Sequence, residues 1–501
     1  MFIRKKKNKS GSTSIQIIEK KNGINKIIKT IGSAFEIKEI EKLYRQALYE
    51  LPRIYGPTLF DIQEEPKISE LNNDNIHVIG PDEVFEVIYN KIGFVQIKEK
   101  LLKYLVILRL THAGSKLKLS EYLRETGKAD ISVYSIYRFL DKFSRSYKSE
   151  VENISFNYTK KLLGGNIGVV FYDITTIYFE SSQPDDFRIT GFSKEGKHQH
   201  PQILLGLLIG KNAYPIGYEI FEGNTFEGHT LIPVLEHFID RFDLEKPIVV
   251  ADAGLLTKNN IEALRKNGYK FILGARIKNE TSEIIRQIEK LKLDSNQIAL
   301  IKKEDNIKLY ISYSPKRASK DKFTRERGLK RLEKNLSAGR LTKSNINNRG
   351  YNKYLLIDGD IKIKIDYDKF NNDKKWDGLK GYITNTDISG KEVIEQYNNL
   401  WKIERAFRIS KTDLRIRPIY HRLKSRIEAH ICISFVSYLL YKELERVLIK
   451  HKSFLSVEKT IEQINKIYAV VIKNEGGVSH IFKLKNNSSQ QELLDIISVE
   501  F

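Results

Sequence analysis

An acid in the middle of an apolar strand constrains this chain more than any other feature. Residues 168–180 read GVVFYDITTIYFE, a β-branched and aromatic run that predicts a central strand with Asp173 at its middle. Charged side chains are rarely buried unless paired or metal-bound, and the bulk of Val169, Phe171, Ile174 and Ile177 argues against a solvent-facing edge. The residues that follow supply the rest of a sheet. Segments 202–210 (QILLGLLIG) and 216–223 (IGYEIFEG) predict a hairpin, and 230–242 a helix. Residues 247–254 (PIVVADAG) predict a buried parallel strand ending at Asp252, with a helix over 258–266 and a strand over 269–276. The order β-β-β-α-β-α-β predicts an α/β class protein, a mixed sheet flanked by helices. In such a sheet the first and fourth strands lie side by side and parallel, setting Asp173 near Asp252.

The third acid comes from residues 397–426, YNNLWKIERAFRISKTDLRIRPIYHRLKSR. Leu400, Ile403 and Phe407 recur at helical spacing, and Tyr397, Glu404 and Lys411 recur every seven residues along one edge of the predicted helix. Nine Lys or Arg fall in these thirty residues against two acids, Glu404 and Asp413. Glu404 either pairs with its basic neighbours or holds a metal ion beside a phosphate. Brought over Asp173 and Asp252 by the last helix, it would complete a trio that repels itself unless cations neutralise it. Hard oxygen ligands with room for water suit Mg²⁺ or Mn²⁺. Two such ions stabilise both the attacking and the leaving oxygen of an in-line phosphoryl displacement. Lys411 would hold a phosphate as a point charge and Arg408 bidentately.

Net charge of +22 and pI near 9.5 favour a polyanionic partner, nucleic acid first. The richness in Lys, Ile and Asn also fits A/T-rich coding, so the cluster around Glu404 weighs more than the total. A single cysteine, Cys432, lies in an apolar run, which excludes a disulfide framework and a Cys-based zinc site within one chain. The N-terminus lacks an apolar core for a signal peptide, and the apolar run 431–441 is too short to span a bilayer. The expectation is a soluble cytoplasmic protein.

Five regions are predicted. Residues 1–34 form a small basic β segment around the turn signal Asn22-Gly23. Residues 35–160 are helical, with a polar linker from about 52 to 75 and a candidate helix-turn-helix from 117–126, a turn at Gly127 and 132–143. Arg138, Lys142 and Arg145 fall on its second helix. The catalytic domain spans 161–279 and 391–450. Residues 280–390 are a β-rich insertion beside the sheet, and 451–501 a hairpin turning at 474–477 and a helix.

The order Asp173, Asp252, Glu404 resembles the aspartate–aspartate–glutamate transposases of bacterial insertion sequences, whose catalytic domain is ribonuclease H-like. One branch carries a β-rich insertion before the glutamate and a signature of Tyr, Arg, Glu and Lys. Tyr397, Glu404 and Lys411 match its spacing, and Leu400 stands where the Arg belongs. The resemblance implies two Mg²⁺ or Mn²⁺ ions on Asp173, Asp252 and Glu404. It implies cleavage at terminal inverted repeats, and attack of the released 3′-hydroxyl on target DNA by a protein that pairs two DNA ends as a homodimer. Tyr397, Lys411 and Arg408 are the expected DNA contacts, with Lys402 and Arg405 as substitutes for the missing Arg. Trp376 and Trp401 are candidates for stacking a flipped base, with core packing as the competing reading for each. His198 and His200 suit phosphate contact or no role, and His421 and His430 packing. The rival readings are a copy that binds DNA without cutting it, and a ribonuclease H-like nuclease of other purpose such as a junction resolvase.

Overall fold

Alternating isoleucines build the first sheet. The computed structural model describes residues 1–21, 23–55, 75–126, 128–181, 183–193, 196–255, 257–295, 297–342, 345–347, 350–358, 362–473 and 479–501, in two compact units, Met1–Asn72 and Asn73–Phe501. In the first unit β1 (Phe2–Lys7), β2 (Thr13–Lys21) and β3 (Ile24–Ala34) form an antiparallel sheet with β2 at its centre. Ile15 and Ile17, two apart on β2, face α1 (Ile37–Tyr55) and its fully buried Ala47. The boundary expected after residue 34 therefore shifts, because the apolar face of α1 is spent on this sheet. Asn22 and most of the expected linker lie outside the described residues.

The second unit opens with β4 (Ile76–Val78), α2 (Val87–Ile92) and α3 (Lys100–Thr111). Next come α4 (Lys116–Glu125), α5 (Val133–Ser146) and α6 (Lys148–Leu162). Ser115 and Ser132 cap α4 and α5 by accepting backbone N–H groups, as a helix pair with short connections needs. Leu119, Leu123, Ile136 and Leu140 enter the core, which leaves Arg138, Lys142 and Arg145 exposed on α5. Gly127, at the turn, lies outside the described residues.

The central sheet follows in chain order. It comprises β5 (Val169–Tyr178), β6 (Gln202–Ile209), β7 (Pro215–Glu222), α7 (Leu231–Phe242), β8 (Ile248–Ala251), α8 (Lys258–Lys266) and β9 (Phe271–Ala275). Beyond it run α9 (Ser282–Lys290), β10 (Ile298–Lys302), β11 (Lys308–Tyr313), α10 (Pro315–Ser337), β12 (Leu355–Asp358), β13 (Lys362–Ile365), α11 (Tyr367–Asn372) and β14 (Leu379–Thr384). The strand order is β10-β11-β14-β9-β8-β5-β6-β7. β5 pairs with β8 and β8 with β9 in parallel, and all other neighbours are antiparallel. This mixed α/β sheet has the ribonuclease H-like arrangement at its centre. Period-two alternation divides its two faces. Phe171, Ile177, Val250 and Ile272 join the larger core, and Val170, Tyr172, Val249 and Phe271 pack with Val234, Leu235 and Phe238 of α7.

Residues 280–390 do not fold wholly beside this sheet. β10, β11 and β14 extend it past β9, because Gly381, Tyr382, Ile383 and Thr384 take up the free edge of β9 in antiparallel register. Among the described residues α10, the β12–β13 hairpin and α11 stand apart, around a small core of Leu332, Tyr354, Leu355, Ile365 and Phe370.

The chain then enters α12 (Gly390–Asn398), α13 (Trp401–Thr412) and α14 (Lys424–Lys450). α14 is buried along most of its length against α3, α5 and the sheet's larger core, and Cys432 is fully buried on it. His430 on α14 donates from Nε2 to the Ile416 carbonyl at 2.9 Å, leaving Nδ1 to accept from Arg109 Nη2 at 3.0 Å. That chain braces the loop leaving α13. α15 (Val457–Ile464), β15 (Tyr468–Lys473), β16 (Ser479–Lys483) and α16 (Ser488–Glu500) complete the fold. β15 pairs with β16 and also with β4, and the turn at 474–477 lies outside the described residues. Among the described residues no helix is long and apolar enough to cross a membrane.

Asp373 ties the small core to the sheet by accepting from Lys353, from Tyr354 at 2.8 Å and from Lys278 at 3.1 Å. Burial by itself raises its carboxyl, but these hydrogen bonds outweigh burial and hold it at about 2. A carboxyl depressed on folding stabilises the protein above its unfolded value of about 3.9 and loses that contribution as pH falls through the folded value. Asp373→Asn is thus expected to be less stable than wild type at pH 7, with the gap closing between about pH 4 and about pH 2 in urea titrations.

Candidate active site

Register brings the two aspartates together. β5 and β8 run parallel with Phe171 opposite Val250 and Tyr172 opposite Ala251. Asp173 and Asp252 are the next residues along the chain after the two members of this last pair, which puts them at neighbouring positions where β8 ends. Asp173 shares the face of Phe171 and Thr175, and it accepts from the Ile174 backbone N–H at 2.7 Å. Asp252, just past the end of its strand, is exposed. Ends of parallel strands are where open α/β sheets place ligand sites.

Tyr397 locks the position of Asp252. Its hydroxyl donates to Asp252 Oδ1 at 2.7 Å, and its ring is buried, edge-on to Tyr382 at 5.0 Å. Burial and then the Asp252 charge push the phenol well above its ordinary range, so it remains a donor. Reaching Asp252 requires Tyr397 to cross β9 where no side chain stands. A Cβ on Gly274 would lie 2.3 Å from the tyrosine hydroxyl. Gly274 is opposite Tyr382 in the β9–β14 pair, so the two aromatic rings and the glycine form one layer.

The expected single helix through Tyr397, Glu404 and Lys411 is two helices. α12 ends at Asn398 and α13 begins at Trp401, with i→i−3 bonds at Asn399, Leu400, Lys402 and Ile403 tightening the junction. Tyr397 therefore turns inward to Asp252, whereas Glu404, in the first turn of α13, is exposed. α13 packs over β5, and Lys411 Nζ donates to Thr175 Oγ1 at 2.5 Å, two residues along the strand from Asp173. Arg408 is exposed, with no side-chain hydrogen bond or ion pair among the described residues.

Three of the expected DNA contacts are engaged elsewhere or turned away from Glu404. Arg405 forms an ion pair with Glu445, and Lys402 lines a cleft of about 440 Å³ with Trp401 and Lys442. Lys402, two residues before Glu404, is turned roughly 200° around α13 to its far side, and Arg405, one residue after it, is turned roughly 100°. Trp376 is 9% exposed and packed in the core with Lys278 and Lys375 ammonium groups over its ring, so no base can stack on it there. Trp401 is half-exposed on the cleft side of α13. Leu400 is buried, which explains why an apolar residue serves there. His198 accepts from the Ser193 N–H, and His200 Nδ1 lies 3.2 Å from the Phe179 carbonyl.

Lys380 carries little signal in the sequence. It lies on β14 on the face of Tyr382, its ammonium 4.4 Å from the Tyr397 ring centre. Burial, then Arg317, lower its pKa, while Asp252 and Glu404 act in the other direction, so this one group senses both acids. The only signal in LKGYIT is a lysine alternating with tyrosine on an otherwise apolar strand.

Among the described residues no three His, Cys, Asp or Glu side chains gather closely enough to hold a metal ion. Asp173 and Asp252 come from neighbouring strand positions and Glu404 from α13 above them, and all three are hard oxygen donors of the kind that suits Mg²⁺ or Mn²⁺. The donor chemistry fits such ions, and the complete three-carboxylate group is not assembled.

Residues 164–440 match the family model described as transposase DDE domain. Among solved structures, a piggyBac transposase synaptic complex with hairpin DNA is similar at 9% identity and a TM-score of 0.40. That likeness covers 77% of this chain and 76% of the other. No curated protein matches.

The Gly274–Tyr397 contact is open to a double-mutant cycle. Gly274→Ala is expected to destabilise the protein by about 1–3 kcal/mol through overpacking. In a Tyr397→Phe background, where the clashing hydroxyl is gone, the same change should cost clearly less, as read by urea denaturation.

Proposed function

Because the chain belongs to the transposase DDE domain family, we propose that it is the DNA transposase of an insertion sequence, cutting at terminal inverted repeats and joining 3′-hydroxyl ends to target DNA. The observation that carries this reading is the pair Asp173 and Asp252, each next in the chain after the last paired residues of two adjacent parallel strands, with Asp252 held by Tyr397.

Asp173, Asp252 and Glu404 are the residues that would hold Mg²⁺ or Mn²⁺, Glu404 joining from its exposed place on α13. Two bound ions would supply Lewis-acid stabilisation of the attacking and leaving oxygens. The chain's own groups orient the reactants. Tyr397 holds the Asp252 carboxylate in one orientation through its hydroxyl. Lys411, anchored on Thr175 beside Asp173, presents a positive charge to a phosphate, and Arg408 offers an unengaged guanidinium one turn from Glu404. Arg138, Lys142 and Arg145, exposed along α5, are the DNA-recognition face of the helical region. Two DNA ends call for two copies of the chain, so the working form on DNA is a homodimer.

A second reading, a protein that binds DNA without cutting, is favoured by Leu400, which removes one phosphate contact of the signature. Purified protein, Mg²⁺ and DNA bearing the inverted repeats that flank the coding region separate the readings. Strand cleavage leaving 3′-hydroxyl ends, followed by joining, is the expected result. Asp173→Ala, Asp252→Ala and Glu404→Ala should each lower cleavage by roughly a hundredfold to a thousandfold or more while binding persists. Wild-type cleavage in any of them removes that residue from the site. Cutting without joining identifies a resolvase-like nuclease, and binding alone identifies the second reading.

A further inference from the structure

Lys380 is a cation without a bonded partner beside the acids. Its ammonium is half-buried over the Tyr397 ring at 4.4 Å and over Tyr382 at 5.4 Å. Among the described residues it makes no hydrogen bond or ion pair, so three N–H donors are uncommitted in a partly desolvated place. The tyrosine beneath it is the one that binds Asp252, which fixes the ammonium next to that carboxylate. Arg317, exposed on the first turn of α10, stands within electrostatic reach of Lys380, Tyr382 and Tyr397. Its own ion pair, to Asp321, is loose at 3.5 Å.

The strand order sets the geometry. Going across the sheet from β14, the next strands are β9, β8 with Asp252 at its end, and β5 with Asp173 and Thr175. Lys411 sits over Thr175. The two lysines thus flank the aspartate pair, with three strand spacings, about 15 Å, between the strands that anchor them. That span exceeds one phosphate.

We propose that Lys380, with Arg317 behind it, is a second DNA-phosphate contact of the active site. Together with Lys411 it holds the reacting strand at two phosphates on either side of Asp173 and Asp252. A phosphate suits this position better than a protein acid. It brings several acceptor oxygens to donors that have none, and its negative charge offsets the cost of keeping an ammonium half-buried. The inference rests on the transposase reading for the identity of the ligand, and its readout does not require cleavage.

The test is duplex DNA binding by the full chain in EDTA, with the dissociation constant followed across salt concentration. Each phosphate contact contributes about 0.9 to the slope of log affinity against log salt. Lys380→Ala should weaken binding roughly tenfold and lower the slope by about 0.9, and the double variant with Arg317→Ala by about 1.8. Lys380→Arg should keep both near wild type. In the cleavage assay Lys380→Ala should raise KM more than it lowers kcat. Two results overturn the proposal. One is an unchanged slope with a lowered melting temperature, which makes Lys380 a brace for Tyr397. The other is unchanged binding with half-saturation at lower Mg²⁺, which makes it only a counter-charge for the acids. Asp252→Asn serves as the control, since its amide oxygen can still accept from Tyr397, and it should lose cleavage while leaving the slope intact. A wild type that binds with the expected slope but never cuts defeats the transposase reading and leaves the phosphate contact standing.

Discussion

The hydrogen bond from Tyr397 to Asp252 sits where three parts of the chain meet. Asp252 belongs to the end of a buried parallel strand, Tyr397 to the helix that returns after about a hundred intervening residues, and Gly274 to the strand between them. A phenol donating to a carboxylate is worth more than a neutral hydrogen bond, and losing the carboxylate leaves the hydroxyl of a buried tyrosine without its acceptor. The contact therefore sets where α12 lies on the sheet, and with it the start of α13. Glu404 and Lys411 inherit their positions from that start.

The segment between β9 and α12 serves the site as well as the sheet. Its strand β14 joins the free edge of β9 and places Tyr382 and Lys380 against Tyr397. Its apolar remainder closes a small core of its own, tied back through Asp373. Burying Trp376 between sheet and segment makes that join stable, and the same burial withholds the ring from any ligand.

The number of basic side chains overstates how many are free to meet a polyanion. Arg405, Arg426, Arg241 and Arg446 are all engaged by acids, and Arg109 is buried against carbonyl groups and His430. Arg408, Arg138, Lys142 and Arg145 keep exposed heads. Paired surface charges add little to stability, and a charge already paired adds little to long-range attraction. The exposed subset is the one available to a polyanion.

Periodicity and composition determined much by themselves. The apolar alternation of residues 168–180 and the short apolar run before Asp252 set the strands and their parallel pairing, hence the approach of Asp173 to Asp252, because strand register follows from local pattern. The serine-capped helices and the long buried helix after residue 424 were readable for the same reason. Three features depended on groups distant in sequence. The break between Asn398 and Trp401 is drawn by Tyr397 binding Asp252, whereas a seven-residue spacing implies one straight edge. The assignment of Arg405 to Glu445 and of Trp376 to the core reflects partners tens of residues or more away. The role of Lys380 arises from β14 pairing with β9, a contact spanning about a hundred residues. Local pattern encodes which face a side chain takes, and only the assembled sheet decides what it meets there.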